Sequence, residues 1–249
     1  MINVLLTAFR YRPGLATVLL LLALNVQGET AFEPYTATYK ASFNGIPVVI
    51  TQTLTTTPAG YRVATVAANV LGEIHEHEDF HVTDGAILVD EYRHQRSLLG
   101  STRDEQLSVD RSQGVAHYQR NGNPRDIPLQ AGYLGPISYK VQLRRDLIAG
   151  KTSFDYQVMD RGKVKHYAFQ SEGTDTIHTA TGAVDAVRVR RVRDDNERQT
   201  LFWMAPALDY QLVKLRQEEG GDSYELLLTE LAAAPAAPIA TAKTAPAIQ

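Results

Sequence analysis

The stretch YTATYKASF, residues 35–43, alternates two kinds of residue. Its odd-numbered positions, from Tyr35 to Phe43, hold tyrosine, alanine or phenylalanine, whereas its even-numbered positions hold threonine, lysine or serine. Successive side chains of a β-strand point to opposite faces, so a period of two places the apolar residues on one face. The stretch therefore predicts a strand with one buried face and one face towards solvent.

Similar short runs recur along the chain as far as residue 231. Turn-forming residues separate them, for example Asp84-Gly85 and Gly220-Gly221-Asp222. The runs are VVITQTLTT, YRVATVAA, HEDFHV, AILVDEYRH, EQLSVDRS, VAHYQR, SFDYQVM, VKHYAFQ, AVRVRRV, TLFWMA, YQLVKLR and SYELLLTEL. About a dozen strands joined by tight turns predict a mainly β protein, a single antiparallel meander that forms a barrel or a curved half-barrel. We expect one such domain, spanning residues 29–231.

One amphipathic helix is predicted near residues 136–149. Pro136 suits the first helical position and Gly150 suits the stop. The apolar residues of this segment lie on one side, and its charged residues are expected to face water or flank the apolar stripe. The apolar set is Ile137, Val141, Leu143, Leu147 and Ile148, and the charged set is Arg144, Arg145 and Asp146. Such a helix either plugs an exposed core or acts as a moving lid, and its stripe favours the plug.

The N-terminus is typical of a cleavable secretory signal. Arg10 and Arg12 precede the apolar run LATVLLLLAL, and Val26 and Gly28 stand at the −3 and −1 positions of a cleavage site. We therefore expect residues 1–28 to be removed and the protein to be periplasmic. The chain has no cysteine, so neither a disulfide nor a lipid on an N-terminal cysteine is expected.

Charge and composition narrow the class of partner. The segment 1–28 holds two arginines and no acid, so the mature chain carries 23 Lys+Arg against 28 Asp+Glu. A formal charge of −5 argues against nucleic acid as a partner, because nucleic acid binds basic surfaces. Residues 232–249 are rich in alanine and proline and hold one charge, which predicts a disordered tail.

Residues 73–95, EIHEHEDFHVTDGAILVDEYRHQ, hold four of the seven histidines. If Asp84-Gly85 is a type I′ turn, Thr83 pairs with Ala86 and His75 faces His94. His75, His77 and His94 would then form a patch suited to zinc. The other face of this hairpin carries Phe80, Val82, Ile87 and Val89 and is expected to be the core side. Because no shielding or supporting residue is evident, a solvated hairpin without a bound metal is the favoured interpretation.

No other pattern identifies catalytic residues. The sequence has neither a G-x-S-x-G elbow nor a glycine-rich phosphate loop, so no catalytic residue and no cofactor is predicted. One basic run, Arg188, Arg190, Arg191 and Arg193, reads either as an edge or solvated strand or as a site for an anionic headgroup or polymer.

Three stretches of the chain resemble one exported bacterial family. They are YTATYKASFNGIPV (35–48), GYLGPISYKVQLRRDLIAGK (132–151) and the long segment from Thr179 to Leu231. Over most of residues 33–231 the chain resembles the domain-of-unknown-function family 3108 (DUF3108). Leu212 departs from the family pattern, which commonly has proline there. The resemblance implies an envelope protein with a barrel-like β domain, and it supplies no catalytic residues.

We therefore expect a non-enzymatic periplasmic protein that binds an apolar or amphiphilic ligand, such as a lipid, or an envelope protein partner. An eight-stranded barrel already encloses room for one small ligand, and more strands enclose more. A metal-dependent enzyme using His75, His77 and His94, and a non-catalytic envelope scaffold, are the alternatives. Aromatic residues that would line a lumen or fill a core are Tyr35, Tyr39, Phe43, Tyr61, Phe154, Tyr156, Tyr167, Phe169, Phe202, Trp203 and Tyr210.

Overall fold

The computed structural model describes residues 32–43, 46–194 and 198–233. These residues form fifteen strands, the helix α1 (Ser138–Ile148) and a short 3-10 turn, Pro206–Leu208. The strands are β1 (Tyr35–Phe43), β2 (Ile46–Thr57), β3 (Gly60–Asn69), β4 (Gly72–Thr83), β5 (Ala86–Leu98), β6 (Ser101–Asp110), β7 (Val115–Arg120), β8 (Asn123–Pro128), β9 (Tyr133–Leu134), β10 (Ser153–Asp160), β11 (Lys163–Thr179), β12 (Gly182–Val192), β13 (Arg198–Ala205), β14 (Gln211–Glu219) and β15 (Asp222–Ala233).

All fifteen strands belong to one sheet, in the order β8-β7-β6-β5-β4-β3-β2-β1-β15-β14-β13-β12-β11-β10-β9. Neighbours are antiparallel except β9 and β10, which pair in parallel across the helical connection. The predicted mainly β class and meander are confirmed. The sequence runs missed only β8, whose NPRDIP stretch is polar and holds two prolines, and the two-residue β9.

The sheet curls until its two edges lie near each other but do not pair. β8 and β9 are the edge strands, yet only residues 129–132 join them along the chain. A connection of this length spans at most about 17 Å. The turn between β10 and β11 also meets β7, since a Cβ on Gly162 would overlap the ring of Tyr118. The result is an open, barrel-like curve.

Helix α1 lies inside this curve. Tyr139, Val141, Leu143 and Leu147 are buried and join a core cluster with residues of strands β2–β7 and β10–β13. Three expectations for the helix, concerning Ile148, Asp146 and the position of Pro136, are wrong. Ile148 is 55% exposed, and Asp146 is buried because its carboxylate has partners inside. The helix begins at Ser138, two residues after Pro136.

The ends of the chain are described only in part. β15 runs to Ala233, so the first two residues of the predicted disordered tail lie in a strand that pairs with β1. Residues 234–249 and the predicted signal segment 1–28 lie outside the described residues. Among the residues that are described, no helix has the length and apolar character needed to cross a membrane.

Candidate functional site

A buried carboxylate fixes the start of helix α1. Glu78 in β4 is fully buried and accepts hydrogen bonds from the backbone N–H groups of Ile137 at 2.7 Å and Ser138 at 3.2 Å. A helix leaves its first N–H groups without intrahelical partners, and its N-terminus favours negative charge. Burial nevertheless outweighs these hydrogen bonds and raises the pKa of Glu78 to about 7.

Gly135 lies against the Glu78 carboxylate at the point where the chain enters helix α1. A Cβ at this position would overlap the Glu78 carboxylate, so a larger residue would displace one or the other. The N–H of Gly135 donates to the hydroxyl of Ser138 at 2.9 Å. The chain thus enters the helix over the carboxylate with its polar groups paired.

The remainder of the helix is tied to both halves of the sheet. Asp146 accepts hydrogen bonds from Tyr156 and Lys151, each at 2.8 Å. Arg144 donates to the carbonyl oxygen of Asp209 at 2.5 Å, and Arg145 donates to that of Gly85 at 2.9 Å. These contacts reach β10, the β4–β5 turn and the connection between β13 and β14, which is the arrangement expected of a plug.

Beneath the helix lies a cavity of about 230 Å³. It separates α1 from the inner face of β1–β4 and β13–β15, and most of its walls are apolar. The apolar and aromatic residues that line it are Phe32, Tyr35, Tyr39, Ile50, Leu54, Val63, Ile137, Val141, Leu143, Phe202, Met204, Tyr210, Leu212, Leu215, Tyr224 and Leu226. The polar ones are Gln52, Thr65, Glu76, Lys140, Arg144 and Gln211.

Several of these polar groups satisfy one another. The hydroxyl of Tyr35 donates to Gln52 at 2.8 Å, and the Gln52 amide donates to Thr65 at 3.3 Å. The Gln211 amide donates to the hydroxyl of Tyr39 at 2.9 Å. Because these groups are paired within the wall, they require no polar ligand, and the cavity surface remains suited to apolar groups.

Three charged side chains, those of Glu76, Lys140 and Arg144, line the cavity. Burial alone would raise the pKa of Glu76, but interactions with His94, Lys140 and Tyr92 outweigh it and lower the pKa. Burial likewise disfavours the charged form of Lys140, but Tyr139, Glu76 and Glu78 outweigh it and raise the pKa. The cavity therefore holds an ionised carboxylate and an ammonium group.

The histidines of residues 73–95 do not assemble as a metal site. Near the turn the predicted register is confirmed, with Thr83 opposite Ala86 and His81 opposite Leu88. The register then shifts between Asp79 and Phe80, so His75 lies opposite Gln95 instead of His94. The pairing of His75 with His94 was therefore wrong.

The register shift separates the three histidines onto two faces. His94 lies opposite Glu76, on the inner face, at 3.8 Å between Nδ1 and Oε1. His75 and His77 share the outer face, where His75 Nε2 is 3.2 Å from Glu73. Within the described part of the chain, no three histidine, aspartate or glutamate side chains are placed to hold one metal ion.

The predicted lumen-lining aromatics divide into several groups. Tyr35, Tyr39, Phe202 and Tyr210 line the cavity. Trp203 belongs instead to a second cluster with Ile177, Ala186 and Val213, and its indole N–H donates to Asp175 at 2.7 Å. Tyr61, Phe154, Tyr156, Tyr167 and Phe169 lie in or against the main core, while the side chain of Phe43 falls outside what is described.

Sequence patterns could have found part of the cavity. Ile74, Glu76, Glu78, Phe80 and Val82 alternate along β4, so the two acids share the face predicted to be core. Acidic residues in phase with buried apolar ones indicate buried carboxylates with partners. No sequence signal placed Lys140 near them, because their proximity depends on the path of the helix through the curved sheet.

Comparison with known proteins places the chain in a family. The sequence profile described as protein of unknown function (DUF3108) matches residues 34–229, most of the described region. The chain belongs to the DUF3108 family. No curated protein matches its sequence significantly.

Several solved chains resemble this DUF3108 domain, among them one from another domain-of-unknown-function family. It is the crystal structure of a beta-barrel-like protein of the domain of unknown function DUF1849 from Brucella abortus. The TM-score is 0.55 at 11% sequence identity, and the alignment covers 81% of this chain and 98% of that one. The similarity shows a shared fold.

The stretch from Tyr210 to Leu212 lines the cavity. Asp209 and Tyr210 both have positive φ, and the N–H of Tyr210 donates to the carbonyl oxygen of Ala205 at 2.8 Å. Leu212 follows as part of β14, pairs with Met204 and lines the cavity. Leu212 therefore adds an apolar side chain to the cavity wall.

Proposed function

We propose that this DUF3108 protein is exported to the periplasm and binds an apolar or amphiphilic envelope ligand beneath helix α1. The observation that supports the proposal most directly is the cavity of about 230 Å³, whose walls are mainly apolar and whose amide and hydroxyl groups pair with one another. Export rests on the signal pattern of residues 1–28.

Cavity size limits the ligand. Sites for drug-sized molecules usually measure about 300–1,000 Å³, which is larger than this cavity. A single acyl chain or a small apolar ring therefore suits the space better than a whole diacyl lipid. Lys140 and Arg144, one helical turn apart, lie in the same wall and favour an amphiphile whose polar end is neutral or anionic.

The test is native mass spectrometry of the mature chain, residues 29–249, exported and purified without chelator or detergent. We expect extra mass of about several hundred daltons, as for a small ligand, which disappears after organic extraction. Ile50→Trp should abolish this mass, because Ile50 lines the cavity. Val49→Trp is the matched control, since Val49 is the next residue and is 48% exposed.

Two results would contradict the proposal. One is a bare polypeptide mass for the wild type together with no saturable binding of a hydrophobic dye. The other is equal ligand loading in Ile50→Trp and Val49→Trp. Either would favour the alternatives of an envelope protein partner or a scaffold.

A further inference from the structure

A second cavity, of about 420 Å³, lies inside the curve on the other side of Glu76 and Tyr139. Two distant parts of the sheet supply basic side chains to it. They are Arg96 and Arg103 from β5 and β6, and Lys165, Arg191, Arg193 and Arg198 from the β11–β13 region. Arg161, from the turn between β10 and β11, adds a seventh.

The acidic side chains of this cavity do not balance that charge. There are three, and each already has a basic partner: Glu105 with Arg120 at 3.4 Å, Asp160 with Lys165 at 2.5 Å and Glu76 with His94 at 3.8 Å. Arg120 is not among the residues lining the cavity. Arg161 lies 4.0 Å from Asp160, and Arg198 pairs with Glu219. Among the described residues that line the cavity, Arg96, Arg103 and Arg191 are the arginines that face it without an ion-paired carboxylate.

The arginine pair Arg96 and Arg103 is the most informative part. The two residues lie directly opposite each other in the β5–β6 register, and like charges in that position destabilise a sheet. The Nε of Arg96 is buried and has no hydrogen-bond partner among the described residues. The two side chains lie next to each other on the inner face, so an anion bound between them would bridge the pair and offset its repulsion.

Two other arginines of the cavity wall, Arg191 and Arg198, are held in place by neighbouring side chains and keep N–H donors without partners in the part of the chain that the structure describes. The Arg191 guanidinium lies 3.5 Å from the centroid of the Tyr167 ring, which holds its plane by a cation–π contact. Arg198 pairs with Glu219, but its buried Nε has no partner within the described region. Guanidinium groups fixed in this way present paired N–H donors that match the oxygens of phosphate.

We propose that the arginine-lined cavity binds a ligand that carries a multiply charged phosphate group. A single carboxylate would leave most of the positive charge uncompensated, whereas a phosphate monoester or pyrophosphate brings two or more negative charges. The phosphate belongs either to a free phosphorylated compound or to the head of an amphiphile. In the second case its chain would lie beyond Glu76, which lines both cavities.

The test is calorimetric titration of residues 29–249 with pyrophosphate. We expect saturable binding that weakens at least about tenfold, or 1.4 kcal/mol, in the double variant Arg96→Gln/Arg103→Gln. Arg188→Gln/Arg190→Gln is the matched control, because it removes two arginines whose carboxylate partners, Glu172 and Asp175, lie outside the cavity. The first variant should melt no lower than the wild type, since it removes a like-charge pair, so lost binding would not reflect lost folding.

Lysophosphatidate, a single-chain phosphate monoester, separates the two sources. If it alone binds, and both Arg96→Gln/Arg103→Gln and Ile50→Trp abolish its binding, the phosphate is a lipid head. If pyrophosphate binds and Ile50→Trp has no effect on its binding, the arginine-lined cavity binds phosphate independently of the apolar cavity beneath helix α1. Equal weakening in both arginine variants, or no binding of either probe, would overturn the proposal.

Discussion

The carboxylate of Glu78 receives the N–H of Ile137 at 2.7 Å, although 59 positions separate the two residues in the chain. This contact joins the inner face of β4 to the start of helix α1. Strands β5–β9 lie between the two residues in the chain, and the contact brings the two ends of this segment together. It also holds helix α1 above the apolar cavity. Changing the protonation state of Glu78, or replacing the residue, should therefore change the free energy of unfolding.

Glu78 should make stability fall as pH rises. Its usual pKa is 4.5 and its pKa in the folded protein is about 7, so between these values the folded state holds a proton that the unfolded chain has released. Rising pH then favours unfolding, by at most about 1.4 kcal/mol per pH unit. Denaturant unfolding from about pH 4.5 to pH 7 should show this slope as the difference between wild type and Glu78→Gln, and equal slopes would contradict it.

Gly135→Ala should destabilise the protein by about 1–3 kcal/mol, the usual effect of overpacking. The added methyl group would overlap the Glu78 carboxylate. In the double variant Gly135→Ala/Glu78→Ala the overlap disappears, so the two effects should be far from additive. Urea unfolding of the four proteins in this cycle measures the coupling, and additive free energies would show that the close approach is not constraining.

Leu143→Ala should cost about 2–5 kcal/mol of unfolding free energy, because Leu143 is completely buried within the core cluster. Ile148→Ala, on the same helix, is the matched control. Its side chain is 55% exposed, so we expect a change within about 0.5 kcal/mol. Comparable losses in the two variants would mean that the helix is not seated in the curve as described.

His77→Ala should leave metal content and stability nearly unchanged. His77 lies on the outer face, and the register places it opposite Arg93 instead of near His94. Elemental analysis of protein prepared without chelator is the measurement. One equivalent of zinc in the wild type, absent from His77→Ala, would contradict the geometry.

In the hairpin of residues 73–95, the local sequence pattern predicts the turn and the pairing next to it, but not the register further along the strands. Asp84 and Gly85 both have positive φ, as the Asp-Gly pair predicts for a type I′ turn, and the pairing beside the turn follows from it. One extra residue, Asp90, then enters β5 as a bulge, where its carboxylate meets His81 and Arg111 at 2.8 Å and 2.9 Å. Since side chains alternate with a period of two, that one residue moves His94 to the other face.

The β class, thirteen of the strands and the helix could be predicted from the sequence. Alternation, turn residues and the proline and glycine that flank the helix are local properties of the chain. The bulge at Asp90, the burial of Asp146 and the hydrogen bonds between Glu78 and the helix could not be predicted from local sequence, because each depends on contacts between distant segments. The tertiary structure also decided that arginines from β5–β6 and from β11–β13 face one cavity. These features depend on how strongly a fifteen-stranded sheet curls, and that curl is the sum of many small twists and register shifts along the whole chain.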